Sequence, residues 1–491
     1  MIRQLAGQTA IYGISSIVSR LLNYLLTPLL TRVLTTAEYG VITDMYALIP
    51  FAMVVLTMGM ETGYFRFAGK SEGLAKREVF STTWGAVSAV ALLFAVLIWL
   101  FTPQLSQLMA YADHPSYIRL VGLIIALDVI TSIPYARLRQ EGKAKRFVAI
   151  RTFSVLLNVV IVLFLYLGLP KLAAGGGMWS SLYDPNYGPG YYLVSNFITS
   201  LVTLLLLYPA YRDTLPVIRG RLLRKMLSYS FPLLVSGVAG VANMFIDRQM
   251  IKYLMPADEA MDALGIYGAV AKLGVILLLF IQMYRYAAEP FFLANFKKDD
   301  FLKANAEALK YFSLVSVGIF LLIMLFEDAF ALLVGPDFRQ GMSILPVILL
   351  ANIFSGMTLN LNFWYKQTGD TRYALWITGT GLIFTVMLNV LMVPSMGYIG
   401  AAWARLGCET VMLALSYYLN RRHYPTPYPL RRIGEYFLVG ALFYGVTFLT
   451  PHWPGVWKYS LHLVLLLLFG YYTLRREHID LNALLRSIIR R

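Results

Sequence analysis

Apolar positions along this chain gather into long runs instead of alternating with polar ones. Runs near 20 residues recur from end to end, each long enough to cross a hydrocarbon core of roughly 30 Å. Fourteen membrane-spanning helices are predicted, over 9–31, 40–64, 78–102, 117–137, 149–169, 190–210, 228–247, 264–290, 308–327, 342–364, 373–393, 398–419, 433–450 and 457–474. The expected fold class is an all-α polytopic membrane protein.

Several runs carry polar residues that lipid would reject. The stretch AVAKLGVILLLFIQMYRYAAEP, residues 269–290, holds Lys272, Gln282, Arg285 and Glu289. Counted as one helix, Gln282, Arg285 and Glu289 fall within roughly 60° of one another, with Lys272 about 80° from Gln282. Arg20, Asp44, Glu61, Asp128, Arg151, Asn158, Asn243, Asp247, Asn389 and Arg405 also lie inside predicted spans. A charge at the bilayer centre costs a few kcal/mol or more, so such residues are expected to face protein or a water-filled cavity.

Composition agrees: 58% of the 491 residues are hydrophobic, 14% are charged, and the mean hydropathy is +0.64. The formal charge of +16 would suit a nucleic-acid partner, but its distribution argues against one. Lys and Arg concentrate in alternate loops, from Lys70, Lys76 and Arg77 through Arg139, Lys143, Lys145 and Arg146 to Arg421, Arg422, Arg475 and Arg476. The positive-inside rule then places both termini in the cytoplasm, which requires an even number of spans. No cleavable signal peptide is read at the start. Cys408, the only cysteine, sits in the twelfth span, as a small hydrophobe would. The longest exoplasmic loop, near 170–190 (AAGGGMWSSLYDPNYGPG), is read as ordinary loop, with a lid or sugar-stacking surface as the alternative.

The chain also echoes itself about 228 residues on. Tyr39-Gly40 opens the second span and Tyr267-Gly268 the eighth; in that register Asp44 matches Lys272 and Glu61 matches Glu289. LTRVL at 30–34 resembles IDRQM at 246–250, and Leu157-Asn158-Val159 resembles Leu388-Asn389-Val390. These landmarks predict two copies of a six-helix unit, 1–212 and 213–424, followed by two further helices and a basic tail over 425–491.

TPLLTRVLTTAEYG near the start, SFPLLVSG at the seventh span, DRQMIKYL with IYGAVAK, and LNVLMVPSMGYIGAAWA before the twelfth together resemble the Wzx-type oligosaccharide-lipid flippases of the MOP superfamily. That group also holds the MurJ lipid II flippases and the MATE drug exporters. The resemblance covers essentially the whole chain. It implies two six-helix lobes around a central cavity, and no enzymatic activity. It further implies alternating-access transfer of undecaprenyl-diphosphate-linked oligosaccharide across a bacterial inner membrane, for polysaccharide or lipopolysaccharide (O-antigen) biosynthesis. A monomer is expected, with membrane lipids around it and polymerase or ligase proteins as further candidate partners. No cofactor and no metal are expected.

Such a substrate needs cations for its diphosphate and amides for its sugar hydroxyls. Arg20, Arg151, Lys272, Arg285 and Arg405, with Asn158, Asn243, Gln282 and Asn389, are the candidates; helix-packing ion pairs are the competing reading. For ion coupling, by H⁺ or Na⁺, or for gating, the candidates are Asp44, Glu61, Asp128, Asp247 and Glu289, against simple salt bridging. Pro28 and Pro232, in the leading helix of each repeat, are hinge or static-kink candidates. Arg66 and Arg137 read as topology charges at the membrane edge. No HExxH, GxSxG or Walker motif occurs, so a membrane polymerase is the weaker alternative. A MATE-like cation-coupled multidrug exporter is the stronger one, because it shares the fold.

Overall fold

A computed structural model describes residues 21–22, 24–295, 301–368, 370 and 372–478, without the side chains of 236, 289–291, 293–295, 301 and 367. Among the described residues there are helices and no β-strand. Eight helices are long and apolar enough to cross a membrane, or ten when two sharply bent pairs each count as one span. The chain is therefore a multi-pass membrane protein, though the predicted fourteen is not reached on length and composition. The reasons are local. Most of the first predicted span lies outside the described residues. Two predicted spans meet at a kink at Gly397, whose φ of 58° is non-helical, and so count once over Arg372–His423, and the last two helices keep charged residues.

The elements used below are α1 (Thr27–Val33), α2 (Thr36–Thr57), α3 (Met60–Ala68), α4 (Gly73–Leu100), α5 (Pro115–Gln140), α6 (Ala144–Leu163), α7 (Gly190–Leu206), α8 (Gly220–Leu254), α9 (Ala257–Leu273), α10 (Val275–Asn295), α11 (Phe301–Leu325), α12 (Leu345–Leu361), α13 (Arg372–His423), α14 (Leu430–Thr447) and α15 (Gly455–Arg476). They form two compact units. One holds Met1–Ala269 with Thr385–Tyr398; the other holds Val270–Phe384 with Ile399–Arg491.

In the first unit, the TTAE sequence starts α2 with a capping box. The Thr35 hydroxyl accepts from the Glu38 N–H at 3.2 Å, and the Glu38 carboxylate accepts from the Thr35 N–H at 2.8 Å. Two donors that the first turn would orphan are thereby satisfied. α2 then stops at Met58 and Gly59, both left-handed at φ 53° and 66°. Helical counting from Asp44 to Glu61 is lost there, and the two carboxylates stand on different helices. The same correction applies to the repeat mate: α9 and α10 meet at Gly274 with a 54° bend, so Lys272 no longer shares a face with Gln282 and Arg285. The core gathers Met45, Tyr64, Phe80, Tyr117, Val129 and Leu193.

The repeated Tyr-Gly pairs have a packing reason. Tyr39 and Tyr267 are fully buried. A Cβ on Gly40 would strike the Met261 carbonyl, one on Gly265 the Thr36 carbonyl, and one on Gly268 the Thr43 side chain. Only hydrogen lets these backbones approach, as small residues do in membrane helix pairs. The Thr36 hydroxyl also donates to Asp262 across the same contact.

The 170–190 loop is more ordered than expected. It contains helical turns at Leu169–Ala174, Met178–Leu182 and Pro185–Tyr187 before a 117° bend into α7. Tyr183 stacks on Tyr191, and Tyr187 meets Tyr191 and Tyr117 edge-on. The tyrosines pack against one another instead of forming an open aromatic face.

In the second unit, α14 and α15 are clamped onto α11 at both ends. At one end the Glu477 carboxylate takes Lys310, Tyr436 and, at 3.0 Å, Arg432. Burial alone would raise the Glu477 pKa. The hydrogen bonds from Lys310, Tyr436 and Arg432 outweigh it and hold the carboxyl down at about 2. At the other end His462 Nδ1 lies 2.5 Å from the Leu325 carbonyl, and Asp328 takes Lys458 and, at 3.0 Å, the Tyr459 hydroxyl.

Candidate functional site

The polar residues of the spans resolve into separate clusters, each inside one unit. In the first unit, Asp44 on α2 is 0% exposed and takes three donors: Lys252 Nζ at 2.5 Å, Gln249 Nε2 at 2.6 Å and the Tyr111 hydroxyl at 2.6 Å. The Lys252 ammonium also lies 4.3 Å from the centre of the Tyr111 ring. Lys252 reads from the sequence as an exoplasmic loop cation. It is instead buried in α8, because that helix continues seven residues past the predicted end at 247. The clue was spacing: in DRQMIKYL, Gln249 and Lys252 are three residues apart and would share one face of a continued helix. Asp247 is held by the Tyr267 hydroxyl at 2.5 Å and by Arg248 at 3.0 Å.

A second cluster lies deeper among α2, α5, α6 and α7. Asp128 accepts from the Ser200 hydroxyl at 2.7 Å and has Arg151 as an electrostatic neighbour. Arg151 itself stands 6.0 Å from the Tyr135 ring. Asn158 is buried and donates to Ser195 and Thr199 at 3.4 Å each, while Ser154 and Thr203 pair at 2.7 Å. Tyr46 stacks at a tilt on Tyr192, its hydroxyl shut from solvent. Asn243 on α8 accepts from Thr385 at 2.6 Å, and Asn389 donates to the Thr385 carbonyl at 2.7 Å.

The cation-rich end of this unit shows which charges are structural. Arg137, read from the sequence as a topology charge, grips Asp213 through two bonds of 2.8 Å and Glu141 through a third of 2.8 Å. The bidentate Arg137 guanidinium holds the Asp213 carboxyl well below the usual carboxylate range. Glu61 is ion-paired with Arg139, a residue the sequence shows only as one of a basic loop set.

In the second unit, Arg405 donates to Asn352 at 3.1 Å. Four residues on along the same helix, Glu409 Oε2 is buried without a hydrogen-bond partner among the described residues. Sequence reasoning passed over Glu409, although a carboxylate one turn from an arginine inside an apolar span was visible. Gln282 is buried and reaches the Tyr286 hydroxyl at 3.0 Å. Arg285 is exposed, 5.7 Å from the Tyr286 ring, and Lys272 is half-buried near the end of α9. Arg20 lies outside the described residues, and so does the side chain of Glu289. Pro28 sits in the first turn of α1, just after a break at Leu26, and Pro232 lies within α8. Among the described residues no group of three or more His, Cys, Asp or Glu is placed to hold a metal.

Helices that bury polar clusters within two compact units define a class of membrane protein recognisable by fold. The structure is similar to the lipid II flippase MurJ in an inward closed conformation, with a TM-score of 0.71 at 14% identity over 95% of this chain and 99% of that one. It is also similar to an inward-facing multidrug resistance MATE family transporter of the MOP superfamily, with a TM-score of 0.66 at 15% identity over 85% of this chain and 95% of that one. Residues 5–295 match the model of the polysaccharide biosynthesis protein family, and the chain belongs to that family. A curated relative, the probable multidrug resistance protein NorM of Photorhabdus laumondii subsp. laumondii, is 25% identical over 227 residues, 42% of this chain. The chain spans about half, 47%, of that relative's length.

Proposed function

We propose that this chain is a flippase that moves polyprenyl-diphosphate-linked oligosaccharide across a bacterial inner membrane, from the cytoplasmic leaflet outward, for polysaccharide or lipopolysaccharide (O-antigen) assembly. One observation carries the reading: a match to the polysaccharide biosynthesis family coexists with a fold that follows a lipid II flippase over 95% of the chain. The inner membrane and cytoplasmic termini rest on the positive-inside pattern.

The chemistry of each unit supports it. A diphosphate needs cations. Arg137 and Arg139 pair with Asp213 and Glu61; the headgroup candidates are Arg20, Arg151, Lys272, Arg285 and Arg405. Asn158, Asn243, Gln282 and Asn389 suit sugar hydroxyls. With expression intact, Arg20→Ala, Lys272→Ala and Arg285→Ala together should cut transport of the lipid-linked glycan at least tenfold, since a lost charge-assisted contact is worth about 1.5–3 kcal/mol. Unchanged transport would sink the assignment.

The acidic candidates take different parts. Asp44 already holds an ammonium where a sodium ion would sit, so we assign the Asp44–Lys252 pair to gating. Glu61 is tied to Arg139. Asp128, half-buried on α5 with the Ser200 hydroxyl as its hydrogen-bond donor, is the proton-coupling candidate. Asp128→Asn should remove any dependence of transport on the pH gradient; a variant with the parent's dependence would refute the role.

A multidrug exporter is the second reading, favoured by the curated relative and by the MATE fold. The MATE structure aligns with 85% of the chain and the flippase with 95%. The flippase follows more of the chain, which inclines the reading to it.

A further inference from the structure

The segment joining the two sequence repeats runs as an extended strap across the cation-rich end of the first unit. Residues 215–219 are non-helical and are tied to α4 along their length. The Ser81 hydroxyl donates to the Leu215 carbonyl at 2.5 Å and accepts from the Val217 N–H at 2.8 Å. The Thr82 hydroxyl accepts from the Arg219 N–H at 3.3 Å. Arg77 donates to the Asp213 carbonyl at 2.9 Å, and Arg219 pairs with Glu78 at 3.0 Å.

Those ties use the strap's polar backbone and turn its apolar side chains outward. Leu215 is 79% exposed, Leu74 beside it is 78% exposed, and Val217 is exposed as well. They border a shallow cavity of about 410 Å³ whose other walls include Ser81 and the exposed pairs Arg77–Asp213 and Arg219–Glu78. From 212 to 225 the chain carries Arg212, Arg219, Arg221, Arg224 and Lys225 against Asp213 alone. An exposed apolar patch rimmed by charge marks an interaction surface. A patch with excess cations, on a loop that the positive-inside pattern puts in the cytoplasm, matches the anionic lipids of the cytoplasmic leaflet.

We propose that this strap is a binding site for an anionic phospholipid, its phosphate held by Arg77 and Arg219 and its glycerol and upper acyl region lying on Leu74, Leu215 and Val217. The proposal does not depend on the flippase reading.

The test is lipid-specific quenching on the full chain. A bimane label at L215C reports on the strap alone, because the native Cys408 is buried. In vesicles of matched content, brominated phosphatidylglycerol should quench the label several-fold more than brominated phosphatidylethanolamine. Each cation near an anionic surface is worth about fivefold in affinity, so R77Q/R219Q should abolish the several-fold preference. Because those arginines also hold Asp213 and Glu78, a salt titration of the L215C chain alone provides a second measurement: rising ionic strength should erase the preference. Equal quenching by both lipids would overturn the site. So would an unquenched label, as if a protein partner covered the strap, or loss of the preference when inorganic phosphate replaces chloride at constant ionic strength, as if the site took a free anion.

Discussion

Replacing Lys252 with Met should lower the stability of the protein by about 3–5 kcal/mol, the usual cost of stranding one member of a buried ion pair. Asp44 has no exposure to solvent and would keep only the Gln249 amide and the Tyr111 hydroxyl as donors. A buried carboxylate with its counter-charge removed must be desolvated without compensation or take up a proton. The double variant Asp44→Asn with Lys252→Met should recover most of the loss, because it removes both charges and keeps the volumes. Thermal unfolding of the detergent-solubilised protein reads both effects. A Lys252→Met variant as stable as the parent would mean that the pair is not the closure its burial indicates.

The second large effect is expected at Glu477, where α14 and α15 are fastened to α11. Its folded pKa of about 2 lies below the ordinary glutamate value of 4.5. The stabilisation is therefore fully present above the ordinary value and is lost as pH falls from about 4.5 toward about 2. At neutral pH it amounts to roughly 3 kcal/mol. Glu477→Gln should be less stable than the parent by up to that amount near pH 7, and the gap should close progressively below pH 4.5. Unfolding of the two proteins across pH checks this, and a gap that stays constant with pH would contradict it. Lys310, itself buried, would keep Glu307 at 2.5 Å as its remaining partner.

Much of this fold was legible in the sequence because hydrophobic length is a strong signal. From the second predicted span to the last, a helix lies where the apolar runs said it would, and Gly397, at φ 58°, separates two runs that the backbone joins. What misled was helical counting across hidden breaks. Gly274 and the Met58–Gly59 step interrupt two spans with no proline at either break, so the face counted by rotation from Lys272 to Gln282 does not exist and Asp44 and Glu61 stand on different helices. Charge at the ends of helices misled in the other direction. Lys252, Arg137 and Arg139 look like topology signals in a list of loop cations. Their ion pairs join residues 208, 76 and 78 positions apart in sequence, and one chain read along its length gives no sign of them. The Tyr-Gly repeat was visible as a pattern, but its cause, backbones close enough to exclude a Cβ, needs the packing of α2 against α9 to be seen.

The most direct test of the flippase reading is a deletion strain extracted for lipid-linked oligosaccharides alongside its surface glycan. The account predicts that lipid-linked repeat units accumulate while surface polymer disappears. Intact surface glycan with no accumulated intermediate would contradict it, and heightened drug sensitivity in that strain would transfer the assignment to a multidrug exporter.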